Sequence, residues 1–211
     1  MSNHEIHQIK ETIFLGIILD EHLSWLPHID NVSRKVSKAI GILYKASFCL
    51  HQQALKTLYY CLVYPYLQYC LRVWGSTYSS NLNRLVLLQK KAVRIIARKK
   101  YDAHTAPIFV NLDMLKFNSI YCFQIAKILF QFKSNVLPAA FSSMFLQNDQ
   151  VHDYSTRTCK QFHVPKIRTN IKKFSICYQG PKIFNSLPNE IRSANTLSSF
   201  STKLYKFLVN Q

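Results

Sequence analysis

Carboxylates, histidines and cysteines hold metals and move protons, and in this chain they are few and scattered. Asp20, His28 and Asp30 lie close together. Two-metal phosphoryl transfer, however, needs carboxylates within about 4 Å of the ions, and no two aspartates are adjacent. Acids near a helix start more often serve as caps, which is the role expected of Asp30 or its neighbour Asn31. Cys159 and His163 have the spacing of half a zinc motif, but two further ligands in register are missing. Tyr154-Ser155-Thr156-Arg157 offers a phenol near an arginine without the organised Arg/His surroundings a tyrosine nucleophile needs. The four isolated glycines, Gly16, Gly41, Gly75 and Gly180, cannot form a phosphate-cradling loop. The sequence therefore predicts no catalytic residue, no metal site and no cofactor.

The chemistry that remains is electrostatic. Lys and Arg total 27 against 10 Asp and Glu, a net charge of +17. Such an excess predicts a polyanionic partner, RNA or DNA before an anionic membrane. The charges are also sorted along the chain. Residues 1–30 hold five acids and one base, Lys10, whereas 31–101 hold thirteen Lys and Arg and no acid. A solvated surface normally mixes both signs, so this stretch reads as built for phosphates.

Two helices are expected to carry those charges. Over about 31–48, Val32, Val36, Ala39, Leu43 and Ala46 form an apolar stripe, with Arg34, Lys38 and Lys45 on the far side. Over about 81–99, Leu82, Leu85, Val86, Gln89, Val93 and Ile96 make the stripe, opposite Arg84, Lys91, Arg94 and Arg98. Gln89 within that stripe must find a hydrogen-bond partner. Between them, 51–71 is apolar nearly all round, as in a helix central to its bundle, and Pro65 should kink or split it. The chain's tyrosines and tryptophans read mainly as core.

The rest of the chain completes a mainly α fold, a helical bundle. Residues 6–20 read as one or two short strands or a hairpin, and helices are expected over about 112–135 and 196–209. Residues 147–182 read as an irregular basic segment, with Gly180-Pro181 as a breaker. The expected divisions are a strand and connector over 1–30, a basic helical domain over 31–101 and a C-terminal helical region over 102–211. The six cysteines lie mostly in apolar runs without C-x-x-C spacing, which predicts buried, reduced thiols in an intracellular protein, nuclear or cytoplasmic. The N-terminus lacks the pattern of a secretory signal. The most apolar stretch, Thr57 to Leu71, is shorter than the ~20 residues a membrane span needs.

Motifs in order along the chain add a resemblance. Phe14-Leu15-Gly16-Ile17, Asp20-Glu21-His22-Leu23-Ser24-Trp25 and His28-Ile29 come first. Leu58-Tyr59, Pro65-Tyr66-Leu67-Gln68-Tyr69-Cys70 and Val73-Trp74-Gly75 follow, then Leu88 through Ile96. Leu137-Pro138, Tyr154-Ser155-Thr156-Arg157 and Gly180 through Pro188 complete the set. Together they resemble the region after the catalytic palm of jockey-like, LINE-type non-LTR retrotransposon reverse transcriptases. The resemblance implies a thumb and post-thumb region that grips a template–primer duplex by its backbone. It supplies no catalytic residue, because the Tyr/Ala-x-Asp-Asp box of those RNA-directed DNA polymerases has no counterpart here. A truncated reading frame, inactive alone, is the expectation that follows.

Arg34, Lys38, Lys45, Arg84, Lys91, Arg94 and Arg98 are thus the expected phosphate contacts, without base reading. A competing expectation is a protein-interaction remnant whose helices pack on an upstream polymerase core. It predicts exposed apolar area on the N-terminal strands and the second helix. Membrane binding through the basic helices is a third reading.

Overall fold

The computed structural model describes residues 8–151 and 157–211, so Tyr154, Ser155 and Thr156 of the tyrosine motif lie outside the described residues. The fold is mainly helical with a small N-terminal hairpin, as the sequence predicts. Strands β1 (Glu11–Phe14) and β2 (Ile17–Asp20) precede α1 (Leu26–Ala46), α2 (Gln52–Leu62), α3 (Tyr64–Gln68), α4 (Leu71–Trp74) and α5 (Ser79–Ile96). Then come α6 (Ala106–Asn111), α7 (Phe117–Lys133), α8 (Asn170–Phe174), α9 (Ile176–Asn185), α10 (Asn189–Arg192) and α11 (Leu197–Val209). The chain divides into two compact units, one of 1–70 with 77–103 and the other of 71–76 with 104–211.

In the first unit β1 and β2 pair antiparallel, from Glu11 opposite Asp20 to Phe14 opposite Ile17. Leu15 and Gly16 turn the chain at φ 47° and 78°, the two positive values a tight hairpin turn requires. Asp20 then organises the entry to α1. Its carboxylate oxygens accept bonds from the backbone N–H groups of Ser24 and Trp25, each at 2.9 Å. Burial works to raise the Asp20 pKa, but these bonds together outweigh it and hold the carboxyl below its ordinary value.

The helix begins at Leu26, with a proline in its first turn, rather than at residue 31. Pro27 lacks the N–H that the first turn leaves unpaired anyway, so it starts a helix well. Asp30 therefore lies inside α1 and caps nothing. The expected stripe of Val32, Val36, Ala39 and Leu43 is buried, joined by Ile29 and Ile40.

The second predicted helix is split, as Pro65 required, between α2 and α3. It is not central, however. Within α2 only Leu55 and Tyr59 are buried, and Gln53, Thr57 and Cys61 face solvent. Gln89, 1% exposed in α5, finds the partner its burial demands in Tyr59, donating to the hydroxyl at 2.9 Å. Burial drives the Tyr59 pKa up, and the bond from Gln89 opposes it only in part. Tyr59→Phe removes this buried acceptor and is expected to cost about 1–3 kcal/mol in urea unfolding. The double variant Tyr59→Phe/Gln89→Leu should recover part of that loss.

Helices α1 and α5 run side by side in the same direction. Near their starts the Thr77 hydroxyl donates to the Ser24 carbonyl at 3.4 Å. Near their ends an Arg98 guanidinium nitrogen donates to the Ser47 and Leu50 carbonyls at 3.3 and 2.9 Å.

In the second unit α7 packs against both α9 and α11, around a core of stacked phenylalanines. Phe130 and Phe200 stack with centroids 4.4 Å apart, and Phe184 lies 6.0 Å from Phe200. Trp74 of α4 is fully buried against Phe117. The basic segment is without helix from Arg157 to Thr169 and then gives way to α8 and α9. Gly180-Pro181 is no breaker, since it lies within α9. A β-carbon on Gly180 would fall 2.8 Å from the Leu129 side chain, so the glycine permits close approach of α9 to α7.

All six cysteines are free thiols, but they are not buried as the apolar runs suggested. Cys49 and Cys61 are exposed and the other four are half-buried. A run dense in apolar residues still has an outward face whenever only one side of its helix is covered.

Candidate nucleic-acid interface

Four of the seven predicted phosphate contacts form an outward cationic surface on the α1–α5 pair. Arg34, Lys38 and Lys45 are exposed on α1, and Lys91 is exposed on α5. Arg34, Lys38 and Lys45 fall within about 40° of one another at 3.6 residues per turn, so they form a single file. Gly41 lies in the same file, and no atom would come within 4 Å of a β-carbon there. The backbone of α1 is thus open to close approach between Lys38 and Lys45.

The other three predicted residues have additional partners. Arg84 is exposed, but its guanidinium meets the Asp30 carboxylate at 3.1 Å. That ion pair spans the α1–α5 seam and brings the heads of the two basic files together. Both side chains are more than half exposed, so the pair is worth little energetically and yields readily to a competing phosphate. Arg94 is half-buried, and its Nε donates to the Ala103 carbonyl at 2.9 Å. Arg98 leaves the face altogether. α5 ends at Ile96 rather than 99, and Arg98 adopts a left-handed φ of 51°. Its side chain closes the C-terminal end of α1 through Ser47 and Leu50, where a cation meets the negative end of the helix dipole.

Arg84–Asp30 is the one Lys/Arg–carboxylate pair among the described residues. With 27 bases against 10 acids, most cations have no carboxylate to neutralise them, and the surface potential is strongly positive. The pattern-based reading missed Lys35, which is exposed on the flank of α1 with its Nζ 5.7 Å from the centre of the Tyr66 ring. It also read the tyrosines as core, yet Tyr44, Tyr66, Tyr69, Tyr78 and Tyr101 are all exposed. Tyr66 and Tyr69 sit three apart, so their shared face was a usable signal.

Among the described residues no three His, Cys, Asp or Glu side chains gather in a way that could hold a metal ion. No helix of the described residues is long and apolar enough to cross a membrane.

No protein-family model matches the chain, and no solved structure matches it. The chain is 28% identical over 112 residues to a protein of Drosophila melanogaster described as "Probable RNA-directed DNA polymerase from transposon BS". The matched stretch covers 52% of this chain and 12% of the relative. This partial likeness to a transposon polymerase supports a relationship between the chain and reverse transcriptases.

Proposed function

We propose that the chain is a nucleic-acid-binding module of reverse-transcriptase ancestry, a thumb-like element that holds RNA, DNA or an RNA–DNA duplex by its phosphates. The observation that carries this reading is the parallel α1–α5 pair, with Arg34, Lys38, Lys45 and Lys91 exposed and without a carboxylate partner among the described residues. The polymerase likeness supports the same partner class. Recognition is by charge, so sequence preference is absent and affinity depends steeply on salt.

A salt titration tests it. Each phosphate contact adds about 0.9 to the slope of log K against log salt on duplex DNA. Arg34→Ala/Lys38→Ala/Lys45→Ala/Lys91→Ala should therefore flatten the slope by roughly 3–4. An unchanged slope in a folded variant would remove the reading.

A second reading, packing against a polymerase core, is favoured by one observation. Ile13, Phe14, Leu15 and Leu23 are 55–73% exposed around the hairpin, a concentration of apolar surface that commonly marks a protein contact. A charge-independent affinity would favour this alternative.

A further inference from the structure

We propose that the first unit holds a single unpaired nucleobase in the cavity between the hairpin turn, α1 and α3. The proposal rests on the phosphate-binding reading above and adds a stacking site to it. The cavity encloses about 320 Å³, at the small end of the ~300–1,000 Å³ usual for ligand pockets. Its wall includes Gly16 of the turn, His28, Asn31 and Lys35 of α1, Tyr66 of α3 and Tyr69 just after it.

The two tyrosines supply the stacking surface. They are 41% and 52% exposed, so ring area remains open to a partner. Tyr69 is not free to swing, because its hydroxyl donates to the Leu15 carbonyl at 2.7 Å. A ring held in place loses little entropy when a base stacks on it. Lys35, with Nζ over the Tyr66 ring 5.7 Å from its centroid, adds positive charge at one face of that ring. Asn31 can both donate to and accept from a base edge. His28 Nδ1 accepts the Ile18 N–H at 3.3 Å, and burial, followed by the charge of Lys35, lowers its pKa. With Nδ1 accepting, the ring proton lies on Nε2.

Placement chooses a base over an apolar side chain as the occupant. Around α1, Asn31 and Lys35 lie about 60° and 100° from Arg34, beside Lys38 at about 40°. The cationic file thus continues into the rim of the cavity. A strand with phosphates on Arg34 and Lys38 carries its next base to the two tyrosines. Bases within a duplex are already stacked, so the occupant is single-stranded or everted.

The test uses the full chain and two short oligonucleotides of equal length. One carries 2-aminopurine at a central position, and the other is abasic there. The intact base should bind about 5- to 100-fold tighter, as expected for one stacked base, with quenched 2-aminopurine fluorescence. Tyr66→Ala should abolish both the preference and the quenching while leaving the salt slope unchanged. Asn31→Ala, at a half-buried position in a helix that stays intact, should reduce the preference in part. Equal affinity for the two strands, or a preference that survives Tyr66→Ala, would overturn the proposal and leave the phosphate reading standing. Failure of both strands to bind with salt dependence would overturn the two together.

Discussion

Phe200→Ala, in the second unit, is expected to lower the unfolding free energy by about 3–5 kcal/mol. The ring is 0% exposed and lies between Phe130 at 4.4 Å and Phe184 at 6.0 Å. Its loss removes apolar burial and two ring contacts, and leaves a void that Phe130 and Phe184 cannot fill from fixed helices. Domains of this kind hold a total of about 5–15 kcal/mol, so the variant should melt tens of degrees lower or fail to fold. Urea unfolding of wild type against Phe200→Leu and Phe200→Ala gives the measurement. A loss below about 1 kcal/mol for Phe200→Ala would mean that the aromatic stack is not the core of this unit.

Trp74→Ala should cost a similar amount, about 3–5 kcal/mol, for a different architectural reason. Trp74 belongs to the short segment 71–76, which joins the second unit although both its neighbours in sequence belong to the first. α4 is only four residues long, so it has almost no helical stability of its own. Leu71 and Trp74, both 0% exposed, hold it in place, with the indole tilted against Phe117 at 6.1 Å. Gly75 completes the fit. A β-carbon there would run into the Leu71 carbonyl oxygen and come within 2.8 Å of Tyr121. Removing the indole should therefore free the segment as well as open a cavity. Faster amide exchange confined to 71–76 and its α7 contacts would accompany the lost stability. Unchanged exchange there would show that Trp74 is not the anchor.

The unpaired cations affect this stability differently. The +17 charge repels itself in the compact state and is relieved when a polyanion binds. Nucleic acid should therefore raise the melting temperature most at low salt, where both the repulsion and the binding are strongest.

Much of the helical architecture was legible in the order of residues. The stripes of α1 and α5 were readable because burial along a lone helix repeats every 3.6 residues, and Pro65 marked a break because it lacks an N–H. The net charge and its segregation were also present in composition alone. The register between helices was not, because periodicity defines a face relative to its own axis and names no neighbour. Asp30 met Arg84 across 54 residues of chain, and Arg98 turned from a surface cation into the cap of α1. The outward tyrosines in and just after α3 were equally hidden, since an aromatic run reads as core until the packing shows which side is uncovered. Local periodicity therefore determined the elements and the sign of their surface. Tertiary packing decided which cations stay unneutralised, because the Asp30 carboxylate that meets Arg84 and the Ser47 and Leu50 carbonyls that hold Arg98 come from distant parts of the chain.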